Sequence, residues 1–169
     1  MKNLFEYEYS EYYGYYIKLN PAESILEGLE NQMNETISFF NSITAEKLDY
    51  QYEKGKWTPK DILQHIIDTE RIFTYRALCF ARNDKTQLPG YDENDFAAKA
   101  NASNRAIIDL IEEYKLVKQA TIMLFKSFDL DMLQQIGVAN HTEISVRAIG
   151  YILPGHEIHH LNVIKERYL

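Results

Sequence analysis

WTPKDILQHIIDTERIFTYRALCF, residues 57–80, decides how the rest of the chain is read. Thr58 is suited to cap a helix, and Pro59 follows at the first helical position, where a missing N–H costs nothing. Asp61 completes a capping-box-like pair with Thr58, and Trp57 and Ile62 are spaced for a hydrophobic staple. Apolar residues then recur at helical spacing from Ile62 to Phe80. On a wheel of about 100° per residue, His65 falls roughly 60° from Ile62, 40° from Thr69 and 20° from Ile72, on the inner side.

Three further segments share this period. The one after LNPAES (19–24) carries Ile25, Leu29, Met33, Ile37 and Phe40 on one stripe; Asn20 is its expected cap, Pro21 its first helical residue and Glu23 its capping-box carboxylate. Another starts near Ser103, with Ile107, Leu110, Ile111, Tyr114, Val117, Thr121, Leu124 and Phe128 three and four apart. The last starts near Ser145 and runs to the C-terminus. No segment alternates apolar and polar residues for long, so no significant sheet is expected. The fold class is all-α, a four-helix bundle in one domain spanning 1–169. Roughly 17–20 residues, including QLPGYDEND, separate the second and third helices, enough to run back along a helix of about 35 Å. Those two helices are therefore expected to be parallel, giving up-down-down-up topology. The tyrosine-rich opening, residues 1–19, is read as an amphipathic arm packed on the bundle in preference to a lid over a pocket.

Composition excludes several functions. The chain is 46% hydrophobic and 25% charged, with formal net charge −7. An acidic chain without a basic run is unsuited to a phosphate backbone, so nucleic acid is not an expected partner. No apolar stretch approaches a membrane span. The N-terminus shows no secretory h-region, and the single cysteine, Cys79, precludes an internal disulfide, so a cytoplasmic location is expected. Cys79 lies in a helical, largely apolar stretch and reads as a small hydrophobe, leaving any thiol chemistry to an external thiol.

Three of the five histidines lie in GHEIHH, residues 155–160. His156 and His160 share a face with Ile149, Ile152, Leu153 and Val163, while His159 lies farther round; Glu157 points off the core face and is expected to be solvated or paired on the outside of the helix, with no catalytic part. Two inward histidines one turn apart need partners, and this spacing brings two imidazole nitrogens onto one cation. His-Glu-x-x-His also matches the zinc-protease pattern, but only nine residues follow His160, leaving no room for a downstream ligand. The third ligand is expected upstream. His65 lies about 10 Å from the start of its helix, and His156 and His160 about 12–20 Å from the end of theirs, so antiparallel packing levels them. His141, in VANHTE, is expected to be solvated. Pro154 cannot donate to the Gly150 carbonyl, so a local kink is expected there.

KWTPKDILQHIIDTERIFTYR, LPGYDENDF and SVRAIGYILPGHEIHHLNVIKERY resemble the DinB-like family, the DNA-damage-inducible group that includes the bacillithiol S-transferases. The likeness implies a four-helix bundle, often homodimeric, with a divalent metal on His65, His156 and His160. It also implies either transfer chemistry with a metal-activated low-molecular-weight thiol or metal-dependent hydrolysis. Many members follow the histidine pair with Arg-Gly-Gln; Leu161-Asn162-Val163 stands here, so contacts of those polar residues are not carried over.

The leading expectation is a thiol transferase taking a small-molecule thiol and an electrophile as partners. A hydrolase using metal-bound hydroxide and a non-catalytic bundle with a structural metal are the alternatives. Zinc is the default metal, with nickel, cobalt, manganese and iron compatible with the ligand type. Arg76 faces near His65 and is a candidate contact for an anionic cosubstrate, or else the partner of a buried carboxylate.

Overall fold

The computed structural model describes residues 4–169. Residues 1–3, which open the expected arm, lie outside them. A 3-10 turn at Glu6–Glu8 leads into α1 (Glu11–Leu19). The chain continues through α2 (Ile25–Ser42), the short α3 (Ala45–Leu48), α4 (Pro59–Ala81), α5 (Glu93–Ala100), α6 (Ile107–Lys126) and the short α7 (Leu130–Gln134). A hairpin of β1 (Ile136–Ala139) and β2 (Thr142–Ser145) precedes α8 (Val146–Arg167). The four long helices α2, α4, α6 and α8 form the bundle.

Cap chemistry sets most of the boundaries. Thr58 Oγ1 accepts from Asp61 N, and Asp61 Oδ2 accepts from Thr58 N at 2.9 Å, closing the expected box. Ser145 caps α8 by accepting from Ala148 N at 3.0 Å. The start of α2 differs from expectation. Its cap is Ser24, boxed with Glu27, because Asn20 ends α1 and spends its side-chain oxygen on Ala22 N. The third long helix starts at Ile107, after a separate 3-10 turn at Ala102–Asn104.

The hairpin is small and was not signalled by alternation. Ala139 pairs with Thr142 around a two-residue turn, Asn140-His141, with φ of 50° and 60°. Both residues adopt the left-handed region that this turn demands, usually met by Asn-Gly. His141 is exposed there. Leu88 joins the hairpin edge through Leu88 N to Val138 O (2.9 Å) and Asn140 N to Leu88 O (3.0 Å), so the long loop after α4 is tied to β1. Gly137 leaves room for the Phe80 ring, which a Cβ would meet at 2.0 Å.

Contacts give the helix directions. Gln64 meets Arg105, Glu70 meets Lys118 and Thr74 meets Thr121, so α4 and α6 run in parallel. Gly150 lies against Ile25 and Glu157 against Thr36, so α2 and α8 also run in parallel. Tyr168 at the end of α8 donates to the Trp57 carbonyl beside the start of α4, making those helices antiparallel.

Two hydrophobic clusters fill the interior. One includes Leu29, Phe73, Ile122 and Leu153; the other includes Phe39, Ile67, Tyr114 and Leu161. On every bundle helix the changeover falls at a buried polar side chain: Thr36, Glu70, Lys118 with Thr121, and Glu157. No described helix is long and apolar enough to cross a membrane.

Candidate metal centre

The near ends of α4 and α8 bring His65, His156 and His160 together. His65 Nε2 lies 3.1 Å from His156 Nε2, and His160 Nε2 lies 3.0 Å from His156 Nε2. Among the described residues these three form the one group of potential metal ligands, their donor atoms all within 4.8 Å of one another. A tetrahedral cation with metal–nitrogen bonds near 2.0–2.1 Å sets its ligands about 3.3 Å apart; the two separations to His156, 3.1 and 3.0 Å, come close to this, and the third lies within 4.8 Å. Imidazole nitrogens converging this closely otherwise oppose their lone pairs or share a proton. Burial, joined by the neighbouring imidazoles, pushes all three pKa values down, His65 to about 4 and the other two well below the ordinary value. Neutral imidazole is the form that ligates.

The surroundings hold the rings in place. Trp57 lies over His65 with centroids 4.8 Å apart. Tyr16 of α1 meets His156 edge-on at 5.4 Å. Gly155 makes this approach possible, because a Cβ there would stand 1.9 Å from the Tyr16 carbonyl oxygen. His159 does not join the cluster; its Nδ1 lies 3.3 Å from the Tyr15 hydroxyl.

The histidines open onto a cavity of about 300 Å³. Tyr12, Tyr13 and Tyr16 form one wall, so the arm that packs on α8 also covers the site. Tyr91 forms another, held by a 2.7 Å hydrogen bond between its hydroxyl and Thr69 Oγ1. Asn140, from the hairpin turn, closes a third side.

One charged residue, Glu157, stands away from its expected place, whereas Arg76 faces the cavity as one of its two expected roles requires. Glu157 is 1% exposed and points into the bundle. Its Oε2 accepts from Tyr114 (2.6 Å) and Thr36 (2.9 Å), and its Oε1 pairs with Lys118. The wheel assumed one buried face, but α8 packs against α1, α2 and α4, so the face turned from the histidines is interior too. A glutamate so placed cannot serve as the base of a zinc protease. Arg76, 3% exposed, has no carboxylate partner among the described residues; it donates to the Pro89 carbonyl at 2.9 Å and lines the cavity.

Tyr91, Asn140 and the interior ion cluster were missed. The cluster had a signal: Lys118 lies one turn after Tyr114, and Glu70 one turn after Ile66, charges on otherwise apolar faces. Tyr91 and Asn140 had none, since loop and hairpin meet only in three dimensions.

Comparison with known proteins agrees with this arrangement. The family model of the DinB superfamily matches residues 29–164. A protein of Oceanobacillus iheyensis named "Putative metal-dependent hydrolase OB0413" is 28% identical over 142 residues, covering 83% of this chain and 79% of the relative. YfiT from Bacillus subtilis, described as "a probable metal-dependent hydrolase with an unusual four-helix bundle topology", superposes with TM-score 0.70 at 15% identity, over 98% of this chain and 89% of that one. The match spans all four bundle helices, both histidine-bearing ones included: this chain belongs to the DinB superfamily.

Proposed function

We propose that the protein is a metal-dependent enzyme that transfers a low-molecular-weight thiol to an electrophile. His65, His156 and His160 are the proposed ligands of one divalent cation, zinc first. Three neutral imidazoles leave the ion its full charge and an open position, so when bound it supplies Lewis-acid chemistry that acidifies a thiol or water brought to it.

The observation carrying the reading is the absence of an aimed carboxylate. Among the residues lining the cavity Glu93 alone is acidic, and it is exposed. Glu157 is locked to Lys118, Tyr114 and Thr36. The ion would acidify either group, but water starts from a pKa near 15.7 and a thiol from about 8.5, so the thiol asks less of a site that offers no dedicated base. The chain's own part is to bind and to keep water out. Trp57, Phe73 and the tyrosines of α1 offer an aromatic wall for the organic portion of thiol and electrophile, with hydroxyls to orient polar groups.

A second reading is hydrolysis. His159 favours it, an imidazole outside the ligand set that lines the same cavity. The names of the relatives point the same way. Metal-reconstituted protein assayed with a chromogenic electrophile and several thiols, and separately with a nitrophenyl ester, separates the readings. Saturable turnover that needs thiol supports transfer. Ester turnover without thiol replaces it with hydrolysis, and neither, with metal bound, leaves a structural ion. A homodimer is part of the proposal, since Tyr7, Tyr12 and Tyr15 of the arm are exposed; a light-scattering mass of 19.8 kDa at micromolar concentration would remove it.

A further inference from the structure

We infer that Arg76 is the recognition residue for a carboxylate on the cavity's ligand, so that the substrate class is an elongated organic acid whose reacting group lies roughly 10 Å from its carboxylate. The inference rests on the proposed function only for what happens at the metal end; the carboxylate site stands on Arg76 alone.

Arg76 follows His65 by eleven residues on α4, three turns later and rotated by only about 20°. The two thus face the same way, with a rise of about 16 Å between them, of which the guanidinium–carboxylate contact at one end and the metal–thiolate bond at the other would take up about 5 Å. Thr69 and Phe73, on the turns between, line the same cavity. The guanidinium centres 4.9 Å from the Phe73 ring, and the Tyr13 hydroxyl lies beside it.

The charge balance is what points to a ligand. A buried guanidinium normally faces a carboxylate, because an uncompensated charge in a low-dielectric site is costly. The buried cations elsewhere obey this: Lys118 has Glu70 and Glu157, and Lys60 has Asp49. Arg76 has the Pro89 carbonyl, which takes part of a five-donor fork and neutralises none of its charge. None of its side-chain nitrogens is among the buried atoms left without a hydrogen-bond partner. Arg76 lines the cavity, and beyond the Pro89 carbonyl and the Tyr13 hydroxyl its fork has no further hydrogen-bond partner among the described residues. A planar fork suits a carboxylate through paired charge-assisted hydrogen bonds. Glu93, exposed at the rim, disfavours a polyanion and leaves a single acid group as the best fit. The rival role is structural: Arg76 would merely clamp the loop at Pro89.

Trp57, the chain's one tryptophan, lines the cavity and reports occupancy by fluorescence. Zinc-loaded protein is titrated with octanoate and with octan-1-ol. The acid is expected to bind at least tenfold more tightly. Arg76→Gln should bring the acid to within about twofold of the alcohol without moving the alcohol's affinity, and Arg76→Lys should restore part of the preference. Equal binding of acid and alcohol to the unaltered protein overturns the inference whether or not any variant folds. So does a preference that survives Arg76→Gln, which would place the carboxylate on the metal. Cobalt-substituted protein titrated with 8-mercaptooctanoate tests the metal end separately. A missing thiolate-to-cobalt band would fail the transferase reading and leave the octanoate result to judge Arg76.

Discussion

Glu157 follows His156 directly in the chain, yet the two side chains serve opposite sides of α8: the imidazole meets His65, and the carboxylate meets Lys118. The about 100° between successive helical residues produces this division. One side of the helix carries a neutral, cavity-facing nitrogen cluster, and the other a sealed ion cluster of Glu70, Lys118 and Glu157, all 2% exposed or less.

The proposed ligand set predicts one divalent metal per chain. His65→Ala, His156→Ala or His160→Ala should each weaken binding sharply, while His141→Ala, at the exposed hairpin turn, should leave it unchanged. Elemental analysis after dialysis reads the stoichiometry. Full retention in the His65→Ala, His156→Ala double variant would remove the assignment.

The interior ion cluster predicts a stability effect without a direct role at the metal. Burial lowers the Lys118 pKa, but the Glu157 and Glu70 charges outweigh it, and the net shift is upward. Lys118 is therefore charged, and its contribution holds below its unfolded pKa and fades only as pH rises through the still higher folded value. Lys118→Met strands two buried carboxylates and should cost roughly 3–5 kcal/mol in urea denaturation. Glu157→Gln leaves Glu70 to pair with the lysine and should cost less, about 1–3 kcal/mol, with metal content kept. A loss under about 1 kcal/mol for Lys118→Met would show that the cluster does not form as described.

Glu8 gives the pH prediction. Burial raises its pKa, but hydrogen bonds from Arg147, Phe5 N and Ser145 outweigh this and hold it below the ordinary 4.5. A carboxylate with a depressed folded pKa contributes stability that is present above the unfolded value and lost as pH falls through the folded one. Glu8→Gln should thus destabilise by roughly 1.5–3 kcal/mol at neutral pH. The gap from the unaltered protein should close on acidification below 4.5. Paired thermal melts from neutral pH down to about 3 check this; a gap independent of pH would deny Glu8 its charged role.

Gly155 predicts a steric effect on the packing of α1. With the Tyr16 carbonyl 1.9 Å from any added Cβ, Gly155→Ala must push α1 away from α8. The expected loss is about 1–3 kcal/mol, with faster proteolysis of the arm. Unchanged melting and protection would mean that α1 does not pack there.

The sequence by itself determined the helices and the convergence of three histidines. Caps at Thr58 and Ser145, and the apolar period of four segments, are local properties, legible because a helix's hydrogen bonds and faces close within a few residues. His65, His156 and His160 were legible because helical rotation and rise fix both face and depth, and Tyr168 reaching Trp57 brings the two helix ends level. Where α2 begins was not legible, since Asn20 and Ser24 are both good caps and only the turn after α1 decides which is free. The arm's double part as packing helix and cavity wall depends on Gly155 admitting the Tyr16 backbone. Tyr91, Asn140 and the inward Glu157 were decided by tertiary structure alone. Each depends on a surface supplied by a distant segment, and α8, enclosed by three helices, has no outer face of the kind a single amphipathic stripe implies.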